Sequence, residues 1–438
     1  MAATNGTAVG GSPEVSVRVA QTDPPCIVKT KALVAGTPGA LSLAQGVVHW
    51  KPPKEALDRA TQALAEGGIH GYGADEGLPA LRDALRQKIA AENGLEGYDV
   101  MVTAGANQGF VNAVLALVDA SDSVVLFSPF YFNHLMALQM AGGGRNVVLG
   151  PCDSSSWHPD LDWLEGALAG PSPPKMVVIT NPCNPTGKLP AQQRGGEQQQ
   201  QGRVLLSTAE LERASELCRR AGAWLLLDNT YEHFVYNGRQ HHCIAAPHVL
   251  NLFSFSKASA YGMMGWRVGY LAFPEDGSSK LAAELVKIQD TVIVCATQLS
   301  QWVALGALEA GRGWVESQVH GLEGNRAAII DALTPLGTLG SGVGGGEGAI
   351  YLWARLPPGC EDDEAVAAWL VRKHKVCLIP GSACGTTGHV RVAFANLQPE
   401  LCSEAAARLK RGLEELSQHG MPAVRAFLES KEGAGAAA

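Results

Sequence analysis

Four short stretches of this 438-residue chain combine reactive or charged side chains with turn-forming residues. In Ser254–Phe255–Ser256–Lys257 a lysine sits among hydroxyls at the end of an apolar run. Such an amine can condense with an aldehyde to a Schiff base, and a surface lysine fits poorly between Phe255 and the glycine-punctuated stretch that follows. Further on, Arg267 could grip a phosphate bidentately with a serine beside it. Asp228 ends the apolar run from Ala223 to Leu227, and Tyr231 lies three residues beyond. A carboxylate at the mouth of a buried strand is costly unless a cation stands next to it, and a protonated ring nitrogen would serve. A helix N-cap is the plainer alternative for Asp228. Asn181–Pro–Cys–Asn184–Pro–Thr–Gly187 fixes an irregular backbone, which a tight turn explains equally well. Thr103–Ala–Gly105–Ala106–Asn107–Gln108 precedes an apolar-periodic helix, so its amides could cradle a phosphate, although many strand-to-helix turns look alike. Together the four supply amides, a hydrogen-bond donor, a carboxylate and an amine in one chain order, and that combination is far more specific than any part.

The elements that must position these groups alternate. Helical periods cover 53–67 and 77–93, a strand 99–103, a helix from 105 through 118, a short strand 123–127 and a helix from about Tyr131. Apolar strand runs at 175–180, 223–227 and 249–253 each end in polar residues, and 268–273 follows Arg267. Strands alternating with helices predict an α/β fold with a mostly parallel sheet covered on both faces, which presents ligands beyond the carboxyl ends of its strands. From about Ser300 the chain reads as helical to Leu333. A strand at 349–355 and helices at 363–373 and 399–419 then complete a smaller α+β part. The stretch 190–202, rich in glutamine, reads as a solvated insertion loop, and 1–22 and 432–438 as disordered tails. Gly340–Ser–Gly342–Val–Gly–Gly345 matches a dinucleotide fingerprint literally, but a strand follows where a helix is needed, so it reads as a flexible loop.

Bulk properties exclude several classes. A formal charge of −8 and 17% charged residues argue against a nucleic-acid or anionic-membrane surface. No apolar run approaches a membrane span. Ten scattered cysteines form no CxxC pair and fit a reducing compartment, here the cytoplasm. His241–His242–Cys243 with His248 lacks the carboxylate or helical spacing of a metal site and reads as a polar loop.

Several strings are similar to one family in particular: Leu43–Trp50 (LAQGVVHW), Met101–Asn107 (MVTAGAN), Gly262–Arg267 (GMMGWR) and Gly346–Trp353 (GEGAIYLW). Across 38–420 the chain resembles the fold-type I pyridoxal 5'-phosphate (PLP) enzymes of the class I/II aminotransferase group, nearest to the plant aromatic aminotransferases. The resemblance implies an aspartate-aminotransferase-like large domain at 53–295, a small domain at 38–52 and 296–430, and a homodimer. Residue by residue it implies that Lys257 carries the cofactor, Asp228 partners its ring nitrogen, and Asn184 with Tyr231 donate to its ring oxygen. Gly105, Ala106, Asn107, Ser254 and Arg267 would contact the phosphate, Tyr131 would stack on the ring, and Tyr72 would reach the neighbouring subunit's phosphate. Arg391, helped by the backbone of Gly46, would clamp the substrate carboxylate.

In the family the arginine usually follows its lysine more closely. Here Arg267 lies ten residues after Lys257, and the extra pair falls within Ala258–Ser259–Ala260. Arg267 is expected to stay near Ser254 and the 105–107 amides, because the run 268–273 anchors it. The implied activity is amino transfer between an aromatic amino acid or methionine and a 2-oxo acid. One visible carboxylate clamp and the Val47, Val48, His49 and Trp50 entrance, apolar and tolerant of aromatic side chains, carry that specificity. A PLP-dependent lyase, of the cysteine-conjugate β-lyase or aminocyclopropane-carboxylate synthase type, would use the same residues. A catalytically silent homologue would lack one of them, and none is missing.

Overall fold

A computed structural model describes residues 14–141, 146–189, 209–257, 261–275 and 280–430. The insertion read at 190–202 and the tail at 432–438 lie outside the described residues, as do residues 1–13.

The strands, in chain order, are β1 Leu41–Ser42, β2 Tyr98–Thr103, β3 Val124–Ser128, β4 Val147–Pro151, β5 Met176–Thr180, β6 Trp224–Asp228, β7 Val249–Ser254, β8 Gly269–Pro274, β9 Thr338–Leu339, β10 Gly342–Gly345, β11 Tyr351–Arg355, β12 Val376–Cys377, β13 Ile379–Pro380 and β14 His389–Ala393. Seven form one sheet in the order β2-β8-β7-β6-β5-β3-β4. All its neighbours are parallel except β8, which runs antiparallel to both β2 and β7. The inner strands are near-continuous Val, Ile and Leu, as a sheet covered on both faces demands.

The reversed strand decides where Arg267 goes. Gly269 opens β8 and registers with Thr103 of β2 and Ser254 of β7. The amino end of β8 therefore lies at the carboxyl edge of its neighbours, and Arg267, two residues upstream, is delivered there whatever the length of the preceding loop. Gly269 is required for this approach: a Cβ would lie 2.5 Å from the Ala106 nitrogen and 2.9 Å from the Phe253 oxygen.

A second sheet has the order β13-β14-β11-β10-β9. The literal GxGxxG stretch, expected as a flexible loop, contributes β10, paired antiparallel with β11. Glycines there admit close backbone approach: a Cβ on Gly345 would meet the Thr186 oxygen at 2.3 Å. Residues 14–22, expected as part of a disordered tail, hold a helical turn at Val17–Ala20, and a helix follows at Cys26–Ala35. Asp23 anchors the segment, exchanging backbone and side-chain hydrogen bonds with Gln139 at 3.0 Å.

The turn after β6 is held from behind. Lys88, on the helix Pro79–Asn93, donates from Nζ to Glu232 Oε2 at 2.5 Å, and Asn93 Nδ2 donates to the same oxygen at 2.9 Å. Burial pushes the Glu232 carboxyl up, but Lys88, His233 and His241 outweigh it and hold it at about 2. The contribution to stability is thus complete above the ordinary carboxylate range and is lost as pH falls toward 2. Lys88→Met leaves a buried carboxylate without its cation. It should lower the unfolding free energy at pH 7 by about 3–5 kcal/mol, read from urea titration. A change within experimental scatter would show that the pair does not hold the turn.

Candidate active site

The carboxyl edge of the seven-stranded sheet lines a cavity of about 230 Å³. Its walls include Ala106 and Asn107 after β2, Tyr131 after β3, Asn184 after β5, Asp228 and Tyr231 at β6, and Ser254, Lys257 and Arg267 around β7 and β8. Gly46, from the segment that follows β1, closes one side. This convergence is geometric: most of these residues stand at or just beyond the carboxyl ends of parallel strands, and Arg267 precedes the reversed strand β8.

Asp228 is 4% exposed, with Oδ1 accepting the Thr230 N–H at 3.0 Å and Oδ2 lying 3.1 Å from His134 Nε2. Burial pushes its carboxyl up, but His134 and Thr230 outweigh this and hold it below the usual range. It stays an anion in an apolar setting. His134 stacks on Phe110, with ring centroids 4.2 Å apart, and meets Tyr131 edge-on. Sequence reading missed it; the signal was its place one helical turn after Tyr131, facing the same cavity.

Lys257 projects over the Tyr231 ring, its Nζ 5.4 Å from the centroid. Burial, with Arg391 and Arg267 nearby and Asp228 opposing them, lowers its ammonium to about 8. Neutral pH therefore already gives a useful fraction of free, nucleophilic amine.

Arg267 donates from Nη1 to Ser256 Oγ and to the Met264 carbonyl, both at 3.0 Å. Its backbone is left-handed at φ 54°, a strained state just after the short 3₁₀ turn Met264–Trp266 and before β8. A Cβ on Gly105 would sit 2.1 Å from Arg267 Nη2, so the glycine makes room for the guanidinium over the amides of the helix Ala106–Leu117. Amides, the dipole of a twelve-residue helix, hydroxyls and a guanidinium on one wall suit a phosphate.

Asn184 Oδ1 accepts from Arg391 Nη1 at 2.8 Å, which leaves its amide nitrogen as a donor for the cavity. Arg391 is 2% exposed and stands behind the wall, its Nη2 donating to the Ala44 carbonyl at 2.8 Å. Its Nε is buried without a partner, a donor still open to an anion. Tyr72 does not join the cavity of its own chain and is 88% exposed. His241, from the run examined for metal, instead contacts Asn229 Oδ1 at 3.0 Å and Asn181 Nδ2 at 3.1 Å. Asn229 donates to Asn251 at 3.0 Å, tying the ends of β5 and β6 to the middle of β7. Among the described residues no helix is long and apolar enough to cross a membrane.

An amine, a carboxylate held ionised and a phosphate-suited wall at the edge of such a sheet define a fold-type I enzyme. The family described as "Aminotransferase class I and II" matches residues 38–194 and 203–409, broken only within the glutamine-rich stretch. Aromatic aminotransferase ISS1 of Arabidopsis thaliana is 48% identical over 410 residues, 93% of this chain and 98% of that protein. Aromatic-amino-acid aminotransferase 2 of Thermococcus litoralis is 26% identical over 92% of this chain and 98% of its own. Among solved structures, aspartate aminotransferase from Thermus thermophilus with maleate superposes with a TM-score of 0.79. It is 27% identical and covers 92% of this chain and 100% of its own. The chain belongs to the class I and II aminotransferase family. Its activity is amino-group transfer, and the lyase alternative is not favoured.

Proposed function

We propose that the chain uses pyridoxal 5'-phosphate to move an amino group between an aromatic amino acid or methionine and a 2-oxo acid. The observation that carries this is the convergence of Lys257, Asp228 and Arg267 on one cavity. The donor set fits the cofactor: the 105–107 amides with Ser254, Ser256 and Arg267 for its phosphate, Asp228 for its ring nitrogen, Asn184 and Tyr231 for its ring oxygen, Tyr131 against its face, and Lys257 for its aldehyde. When bound, the cofactor supplies an electron sink for the pair left at the substrate Cα. Lys257 Nζ, poised between amine and ammonium, would take the Cα proton and deliver it to the cofactor's aldehyde carbon. His134 keeps Asp228 oriented and ionised. Gly46 and Arg391 hold the substrate carboxylate, which fixes the Cα–H bond toward Lys257.

Selectivity follows from what the cavity lacks. Among its described lining residues the only arginine is Arg267, already on the phosphate side, while Val47 and Met264 are apolar. A side-chain carboxylate would be buried unpaired. The names of the Arabidopsis and Thermococcus relatives support the aromatic reading. Tryptophan, phenylalanine or methionine should therefore exceed aspartate in kcat/KM by at least about 10-fold, in assays with a common 2-oxo acid. Equal values would contradict the reading.

A second copy of the chain would complete the site with its exposed Tyr72. The segment after residue 38 belongs with the small domain, since β1 pairs with β12 and the Leu43 N–H donates to the Cys377 carbonyl at 2.7 Å. This supports a division into 38–52 with 296–430 and a large domain at 53–295. Ten free cysteines support a reducing, cytoplasmic setting.

A further inference from the structure

Tyr351, on β11, lies outside every role assigned above, yet it touches two of the groups that carry them. Its hydroxyl oxygen is 2.5 Å from that of Tyr231, and the rings meet edge to face at 5.4 Å. The guanidinium of Arg391 lies over the Tyr351 ring, 4.3 Å from its centroid. Both tyrosines are 1% exposed. The segment closing the cavity has a glycine at the one place where the phenols meet. A Cβ on Gly46 would fall 1.8 Å from the Tyr351 hydroxyl oxygen and 3.2 Å from that of Tyr231.

A phenol has one proton to give and can also accept. Either phenol can donate across the contact, but a ligand oxygen in the cavity that takes the Tyr231 proton leaves the Tyr231 oxygen to accept from Tyr351. Once Tyr231 accepts there, its own proton has to point elsewhere, and Tyr231 lines the cavity. We propose that Tyr351 is a positioning residue: it donates to Tyr231, turns the Tyr231 proton into the cavity, and backs the guanidinium of Arg391 with its ring. The chain Tyr351 to Tyr231 to ligand polarises along its length, so Tyr231 becomes a stronger donor than a lone phenol. It also joins the two sheets at the site, because Tyr231 lies in the turn after β6 of the larger sheet and Tyr351 opens β11 of the smaller. The charged and titratable groups facing the pair are Arg391 and Cys384 from the small domain and Tyr131, Asp228 and Lys257 from the large.

The inference rests on the cofactor reading above. A donor at the cofactor's ring oxygen favours negative charge there, so weakening it should raise the pH at which the bound cofactor's visible absorbance titrates. Full-length protein loaded with PLP is titrated as wild type, Tyr351→Phe, Tyr231→Phe and the double variant, with thermal unfolding checked for each. Tyr351→Phe should raise the midpoint by about half a pH unit. Tyr231→Phe should raise it further, and the double variant should match Tyr231→Phe alone, because Tyr351 acts through Tyr231. Gly46→Ala, whose methyl displaces the Tyr351 hydroxyl while both phenols remain, should reproduce the Tyr351→Phe shift. An unmoved midpoint in folded Tyr351→Phe and Gly46→Ala, or shifts that add in the double variant, would overturn the proposal. Wild-type protein that gains no titrating visible band with PLP would instead overturn the cofactor reading, and this proposal with it.

Discussion

Lys257→Ala should lower kcat/KM for amino transfer by more than about 10⁴-fold while leaving a folded protein that still binds PLP. The amine has two tasks in the proposed reaction, carrying the cofactor and moving the Cα proton, and no neighbour can assume either. A guanidinium is too poor a base to stand in, and Lys88 and Lys188 are committed to Glu232 and Glu347. Cofactor affinity should fall less than activity, because the groups suited to phosphate and ring nitrogen are supplied by β2, β6, β7 and β8 independently of Lys257. Steady-state rates with tryptophan and a 2-oxo acid, beside equilibrium binding of PLP, separate the two effects. Near-normal turnover in the variant would sink the assignment of Lys257.

Arg391→Lys should raise KM and lower kcat/KM on the order of 10²-fold, with a much smaller change in cofactor binding. The guanidinium bridges Asn184 Oδ1 and the Ala44 carbonyl with two nitrogens and keeps Nε in reserve. A lysine ammonium has one nitrogen on a flexible stem and cannot hold that fork. Tyr351 would also lose the flat cation on its ring. Substrate series at saturating 2-oxo acid give the comparison directly. An unchanged KM for the amino acid would place its carboxylate elsewhere.

Most of the larger sheet was legible because β2, β3, β5, β6 and β7 are short apolar runs that each end in a polar group. Lys257, Asp228 and Asn184 stand where those runs stop. The chain order alone could not show that β8 is reversed, and that reversal places Arg267 regardless of the ten-residue spacing. β4 went unread because it is an edge strand, half exposed and ending in Gly150–Pro151, with neither continuous apolar character nor clean alternation. The glycine-rich β10 has almost no side chains to display a strand period; its pairing comes from β11. His134 and Tyr351 were hidden for another reason. The place of His134 one turn after Tyr131 points only to the cavity, whereas the partners that give both residues their roles, Asp228 and Tyr231, lie 94 and 120 residues away along the chain, beyond any local pattern.

The measurement that tests the central claim most directly is a half-reaction. PLP-loaded protein is mixed with tryptophan in the absence of any 2-oxo acid, and the bound cofactor's visible absorbance and the released keto acid are followed together. Amino transfer predicts loss of the visible band with one equivalent of keto acid per site, then arrest, and full recovery of the band when a 2-oxo acid is added. Continued release of keto acid with ammonia and no acceptor, or a visible band that never responds to the amino acid, would contradict it.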